Sequence, residues 1–502
     1  MKFKRLTAVG RTVGCLILFL GFPLGLKAVY AEAQLVVSPQ SIVSGKQNSA
    51  TNICPAQLPE AIDAIVDRPE HRRLHWGILI QTLSPSRTLY SRNAQQYFIP
   101  ASNVKLFTTA AALLQLGSNF RIRTSVYGKN GVLRLVGRGD PSLTDAQLRD
   151  LAQQLRRQGI RQIQQLIVQD GYFQGLPLHP TWEWEDVYAD YGAPVNSLIL
   201  NQNVVELQLS PQELGQPVKI TWNDPFAAWQ WQIENQTLTA ASGGKSEFEV
   251  NGILGKSSLQ IRGQMAIDSP PEVLSVPVRN PGEHFLQHFK LALIQEGIIV
   301  GQSQVIDSAE KTNEPELAFV ESPRLSQLIA DTNLPSNNLY AEALLRTLGV
   351  NNSTMPNQYT DSLGLNLIKT TLANLGVDGE SFILADGSGL SRRNLVSPLS
   401  LVQTLQAISQ SPQAEIYRIS LPVAGVSGTL RNRFKDTPAM GIVYAKTGTL
   451  TGVVTLSGYV DAPNYEKLVF SIMVNHSNQP ARIIRSSIDE IVLLLTQLRR
   501  CE

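Results

Sequence analysis

Ser102 and Lys105 stand at i and i+3 in the run Pro100-Ala101-Ser102-Asn103-Val104-Lys105. On a helix that spacing puts both side chains on one face, a turn apart. A serine hydroxyl becomes a nucleophile when a base takes its proton. Lysine is such a base only if its pKa is lowered, which the positive end of a helix dipole and a second cation both favour. Lys446, in Lys446-Thr447-Gly448-Thr449, is the candidate second cation. It follows the strand-like run 442–445, and a strand puts Lys446 and Gly448 on one face. Glycine there would let a substrate backbone approach closely. Ser336-Asn337-Asn338 is the third piece, after Pro335, and opens a helix through Leu339, Ala341 and Leu345. Singly, these read as a solvated helix turn, an edge strand ending in a polar turn, and an N-cap. Together, in this order, they point to acyl transfer on a serine, chemistry that needs no metal or cofactor.

The elements that must hold these residues are legible from pattern. Residues 78–83 read as a strand, Ser84-Pro85-Ser86-Arg87 as a turn, and the next residues as the return strand of a hairpin. A helix runs from the Ser102 segment to Leu116, with Pro100 before it and Gly117 after it. Residues 125–275 hold many short β-like runs (132–136, 164–168, 204–209, 218–221) and a helical interlude at 142–158. Residues 283–296 read as an amphipathic helix, and the chain is mostly helical from Pro323 to about Ser411. Strand-like runs follow at 442–445, 453–460 and 468–474, then a last amphipathic helix at 481–499.

Residues 1–31 have the shape of a signal peptide. Lys2, Lys4, Arg5 and Arg11 form a basic start, 15–22 is apolar, and Val29-Tyr30-Ala31 is a small-residue cleavage site. The apolar run is short for a bilayer span, so the processed chain is expected to be exported, to the periplasm or cell surface, without a stable membrane span. Residues 32–53 read as a polar linker. Removing 1–31 takes away five basic residues and no acid, so the formal charge falls from +2 to −3. That balance gives no footprint for nucleic acid. Cys54 and Cys501 survive processing, and in an oxidising compartment the pair predicts a disulfide; the alternative is two free thiols in the terminal segments.

The three motifs resemble those of the penicillin-binding protein and serine β-lactamase superfamily. Further segments extend the likeness: Gly139-Asp140-Pro141-Ser142-Leu143, Tyr191-Gly192-Ala193-Pro194-Val195, Asp386-Gly387-Ser388-Gly389-Leu390-Ser391-Arg392 and Leu421-Pro422-Val423-Ala424-Gly425. These resemble the class C low-molecular-mass penicillin-binding proteins, and within them the D-alanyl-D-alanine carboxypeptidase/endopeptidase family of penicillin-binding protein 4. The likeness runs from about residue 55 to the end. The long stretch between Ser102 and Ser336 suits that family, whereas simple serine β-lactamases have no room for it.

The resemblance implies an α/β fold: a transpeptidase-like domain with helices on an antiparallel sheet, and two nested β-rich inserted domains. The expected boundaries are 54–124 with 321–502 for the catalytic domain, 125–205 with 277–320 for the first insert, and 206–276 for the second. It implies a serine-type D-Ala-D-Ala carboxypeptidase, with endopeptidase activity within its range, acting on peptidoglycan stem peptides and inhibited by β-lactams. Ser102 would attack, Lys105 take its proton, and Ser336 pass a proton to the leaving amine with Lys446 beside it. Asn338, Thr447, Gly448 and Thr449 would bind substrate, with the Ser102 and Thr449 N–H groups as oxyanion hole. Asp170 and Arg392 align with residues that the family uses for the ammonium and carboxylate of diaminopimelate. The alternatives are a serine β-lactamase or esterase on the same scaffold, and a non-catalytic cell-wall scaffold.

One departure is Ser427-Gly428-Thr429, where the family often has an acid in place of Ser427. Glu314-Pro315-Glu316-Leu317 is not a deacylating glutamate segment, because it precedes the Ser-x-Asn motif. The pairs His71/His75 and His284/His288 have i, i+4 spacing but lack the His-Glu-x-x-His pattern, so no metal site is expected. Gly244-Lys245-Ser246 and Gly255-Lys256-Ser257 lack the first glycine of a phosphate loop. Trp222, Trp229 and Trp231 are read as packing residues.

Overall fold

The apolar runs near the C-terminus form the strands Val453–Val460 and Leu468–Asn475, and every residue in both is buried. Burial on both faces explains why they read as continuous apolar runs. They lie at the heart of a five-stranded antiparallel sheet in the order Val443–Leu450, Val453–Val460, Leu468–Asn475, His75–Thr82, Thr88–Arg92. The sheet is therefore built from both ends of the chain. One face packs on a cluster that includes Phe107, Leu113, Leu345 and Leu405, and the other on Leu58, Ile62, Ile488 and Leu495. Each such side chain contributes about 1.5–3 kcal/mol by leaving water. The helix Val104–Leu116 is buried along most of its length because further helices (325–333, 338–351, 360–373 and 398–409) surround it.

This is a computed structural model, and it describes residues 52–308, 312–351 and 358–501. The expected signal peptide and nearly all of the expected linker lie outside the described residues. No helix among the described residues is long and apolar enough to cross a membrane.

Residues 123–321 carry three more sheets of at least three strands. The first has five strands in the order Ile299–Ile306, Gln162–Gln169, Val132–Val136, Arg123–Lys129, Glu316–Glu321. Its pairings of 132–136 with 162–169 and of 162–169 with 299–306 are parallel. Parallel neighbours need long crossovers, and the helices Asp145–Arg157 and Pro281–Gln295 lie in these connections. This region is thus more helical than a β-rich reading suggests. Two three-stranded sheets from residues 204–277 share a core with Leu207, Trp231, Leu259 and Ile261. Trp231 is buried there, whereas Trp229 is 57% exposed, so packing does not account for Trp229.

Cys54 and Cys501 form a disulfide with Cα atoms 5.7 Å apart. Beside it the Ile53 N–H donates to Gln497 O and the Arg499 N–H to Ile53 O. The bridge closes a loop spanning 447 positions. Loop entropy alone gives roughly 5 to 6 kcal/mol for so long a loop, and real bridges deliver about 2–5. Cys54→Ser with Cys501→Ser should therefore lower unfolding stability by roughly 2 kcal/mol or more, read from denaturant curves. An unchanged midpoint would show that the backbone bonds alone hold the ends.

Candidate active site

Ser102 sits in the turn Ala101–Asn103 that leads into the helix Val104–Leu116. The sheet pins this turn from two sides. Asn103 Nδ2 donates to Ser457 Oγ at 2.8 Å, and Thr455 Oγ1 donates to Pro100 O at 2.9 Å. A third contact comes from Gly389, whose φ is +85° and where a Cβ would lie 1.9 Å from Ala101 O. Only glycine fits there, which explains one residue of the Asp386-Gly387-Ser388-Gly389 segment.

Lys105 is fully buried. Its Nζ lies 3.1 Å from Ser102 Oγ, 2.7 Å from Asn338 Oδ1 and 2.6 Å from Ser388 O. The last two atoms only accept hydrogen bonds. A neutral amine has two N–H donors and one lone pair, so the two carbonyl oxygens take the donors and the lone pair is left for the Ser102 hydroxyl. Burial lowers the Lys105 pKa to about 7, against the opposing charges of Asp386 and Glu342.

Ser336 has φ +66° just before the helix Asn338–Asn351. Asn337 makes the N-cap bond, with its Oδ1 accepting from the Tyr340 N–H at 3.1 Å. That leaves Ser336 and Asn338 to turn toward the two lysines. Lys446 Nζ donates to Ser336 Oγ at 2.8 Å and to Thr447 O at 3.0 Å. Lys446 is also fully buried, and burial together with the charge of Lys105 holds its pKa well below the ordinary lysine value.

Two residues expected to meet substrate also make contacts within the protein. Gly448 faces inward: a Cβ would meet Thr455 Oγ1 at 2.1 Å and Pro100 O at 2.8 Å. The glycine lets the outermost strand close on the Ser102 turn, and substrate approach is not what requires it. Asn338 is engaged at both ends, because its Nδ2 donates to Tyr191 O at 2.9 Å while Oδ1 faces Lys105. Its amide is thereby locked with oxygen toward the lysine. Thr447 Oγ1 donates to Thr429 Oγ1 at 2.8 Å, so the Ser427-Gly428-Thr429 segment borders the site through a hydroxyl. Thr449 is exposed, and its Oγ1 accepts from Arg485 Nη2 at 3.1 Å.

Asp170 and Arg392 are not joined to each other. Both Asp170 oxygens accept from Asn196 Nδ2 at 2.9 Å, and Oδ1 accepts from the Ser197 N–H. Burial raises the Asp170 pKa to about 6. Arg392 pairs with Glu183 at 2.9 Å and donates to Thr451 O at 3.1 Å, two residues beyond Thr449. Sequence reasoning assigned no role to Glu342, Asp386 or Tyr191. An acid amid Ala341, Ala343 and Leu344, four residues after Asn338, was the available signal.

The two histidine pairs differ from each other. His71 closes a short turn and His75 begins a strand, where it stacks on Phe98 at 4.3 Å. His284, His288 and Asp224 do bring three potential ligand atoms together. The Gln230 Oε1 accepts from the Arg279 and Asn280 N–H groups, so its Nε2 donates to His284 Nδ1 at 3.2 Å. The His284 proton is then on Nε2, facing Asp224 at 3.4 Å. His288 bonds Asp145 at 2.7 Å and Asp224 at 3.0 Å. Burial alone would lower its pKa, but these two bonds raise it to about 9. The cluster is a charged tie between the Asp145–Arg157 helix, the Pro281–Gln295 helix and the turn at Asp224.

The chain is similar to known proteins along most of its length. A D-alanyl-D-alanine carboxypeptidase of Actinomadura sp. (strain R39) is 33% identical over 448 residues, covering 85% of this chain and 82% of that protein. The crystal structure of penicillin binding protein 4 (dacB) from Haemophilus influenzae matches with a TM-score of 0.75 at 26% identity, covering 86% of this chain and 98% of that one. The same Haemophilus protein complexed with a β-lactam matches with a TM-score of 0.71 at 25% identity, over 88% of this chain and 99% of that one. A family model spans residues 58–495, from the first helix to the last and across every motif above, and the chain belongs to the family that it describes, the D-Ala-D-Ala carboxypeptidase 3 (S13) family.

Proposed function

We propose that this chain is a serine-type D-Ala-D-Ala carboxypeptidase that works through an acyl-enzyme on Ser102. The observation that carries the reading is Lys105, a buried amine with two carbonyl acceptors and its third position on Ser102 Oγ. In the first step Lys105 takes the Ser102 proton as Oγ adds to the carbonyl of the penultimate D-Ala. The oxyanion would lie between the Ser102 and Thr449 N–H groups. Ser336, bonded to Lys446, would pass a proton to the departing D-Ala amine. Water then cleaves the ester, so the net reaction is hydrolysis.

The same site would take β-lactams, and the natural substrates would be peptidoglycan stem peptides outside the cytoplasm, reached after removal of residues 1–31. Arg392, beside Glu183 and Thr451, suits a carboxylate of the stem peptide better than Asp170 suits an ammonium. The Asp170 carboxylate is already closed by Asn196 and Ser197. We also read 54–124 with 321–502 as the catalytic domain, and 125–205 with 277–320 and 206–276 as the inserts; the separate sheets and cores support this division.

The test is turnover of a pentapeptide ending in D-Ala–D-Ala beside a chromogenic cephalosporin. Release of D-Ala with little cephalosporin turnover supports the reading. Fast cephalosporin hydrolysis would make the chain a β-lactamase, and acylation without turnover of either would make it a scaffold.

A further inference from the structure

Glu342 stands four residues after Asn338, on the same face of the Asn338–Asn351 helix. It is 2% exposed among buried Ala341, Ala343 and Leu344. A carboxylate in such surroundings is costly unless it is hydrogen-bonded. Its Oε1 accepts the N–H groups of Gly387 at 3.0 Å and of Ser388 at 2.7 Å. The carbonyl of that same Ser388 accepts from Lys105 Nζ at 2.6 Å. One short bridge therefore links a buried carboxylate to the amine beside the nucleophile.

We propose that Glu342 is a positioning residue for acyl transfer: its carboxylate fixes the Gly387-Ser388 backbone so that the Ser388 carbonyl holds Lys105 toward Ser102, and it supplies a buried negative charge facing that lysine. The proposal rests on the reading of Lys105 as the base. Asp386 cannot do the same work. Its oxygens are spent on the Gly389 and Ser391 N–H groups, Asn394 Nδ2 and the Ser388 hydroxyl of its own loop, and on Trp182 Nε1. Glu342 reaches across from the Ser-x-Asn helix to the backbone N–H groups of the loop that touches Lys105.

The charges around the lysine set the sign of the effect. Glu342 and Asp386 favour its protonated form, whereas burial opposes it. Lys446, from the strand side, is itself held down by the charge of Lys105. Arg346, one turn beyond Glu342, is buried and faces Glu342 and Asp170, and His179 lies near Asp386 and Arg346. Burial and the neighbouring Asp386 push the Glu342 pKa upward. Over the pH range in which Glu342 is ionised, its charge is one of the two that keep Lys105 protonated, so removing it should let the neutral amine persist to lower pH.

The experiment is benzylpenicillin acylation of the full-length processed protein against pH, for Glu342→Gln and Glu342→Ala, with thermal midpoints alongside. Glutamine keeps an acceptor oxygen but not the charge. Its alkaline plateau should stay within about threefold of wild type, while the acid limb moves measurably toward acid. Alanine loses the acceptor, and its plateau should fall roughly tenfold or more, because a buried pair of N–H groups is left unpaired next to the base. An unmoved limb in Glu342→Gln, equal losses in both variants, or an unfolded Glu342→Gln would each overturn the proposal and leave a purely structural acid. A wild-type profile with no acid limb would instead overturn the base reading, and this proposal with it.

Discussion

Ser102→Ala should abolish the covalent penicillin adduct and lower D-Ala release by roughly a thousandfold or more, because among the described residues Ser102 supplies the hydroxyl that lies against Lys105 Nζ. Intact-mass measurement after exposure to benzylpenicillin reads this directly, with one adduct on wild type and none on the variant. The wild-type adduct should also persist. Rapid deacylation needs a general base beside the acyl ester, and the acids nearest to Lys105 are already committed. Glu342 holds two backbone N–H groups, and Asp386 is closed within its own loop. Glu314 accepts from Thr312 and lies 3.9 Å from Arg134, in the inserted part of the chain. Ser102→Ala leaves a hole smaller than a methyl group, so the fold should be retained. An adduct that survives in Ser102→Ala would move the nucleophile elsewhere, and fast loss of the wild-type adduct would show an unseen base.

The side chains proposed to carry the chemistry were legible in sequence because that chemistry depends on local spacing. Ser102 and Lys105 share a helix turn, and Lys446 precedes a Gly-Thr on a strand; such relations are written within a few residues. The strands were legible where period and composition agreed, as at 453–460 and 468–475. What the sequence could not reveal was which face each residue would present at long range. Gly448 reads equally well as an opening for substrate or as a packing gap, and only the approach of Pro100 and Thr455 decides it. Asn338 reads as a substrate donor, and only Tyr191, from a different part of the chain, shows how its amide is oriented, with one of its two N–H groups held. Asp170 and Arg392 carried the expected types, but their partners Asn196, Ser197 and Glu183 were set by loop packing without periodicity. Glu342 was missed because a lone acid on a helix usually faces solvent, and its burial depends on the Gly387-Ser388 loop folding over it.

Lys105→Arg should nearly abolish acylation, again by roughly a thousandfold, and wild-type acylation should rise with pH and level off above about 7. Both effects follow from which protonation state is the base. The neutral amine accepts the Ser102 proton, so activity tracks the deprotonated fraction. At the ordinary lysine value only roughly one amine in three thousand would be neutral at pH 7. Burial brings the Lys105 pKa down to about 7, against the pull of Asp386 and Glu342, so the neutral form becomes a large fraction at neutral pH. Below that point the rate should fall about tenfold per pH unit, because the proton on Nζ must leave before the lone pair can face Ser102. A guanidinium stays protonated throughout this range, and its planar fork cannot present a lone pair to the hydroxyl. Because arginine is bulkier than the fully buried lysine that it would replace, Lys105→Met serves as a second variant that fits more easily and should be equally inactive. Acylation rates by stopped mixing and mass measurement, with circular dichroism to verify the fold, decide the matter. Activity above a few per cent in either variant, or a wild-type rate flat from pH 5 to 8, would remove Lys105 from the role of base and leave it as an electrostatic anchor for Asn338 and Ser388.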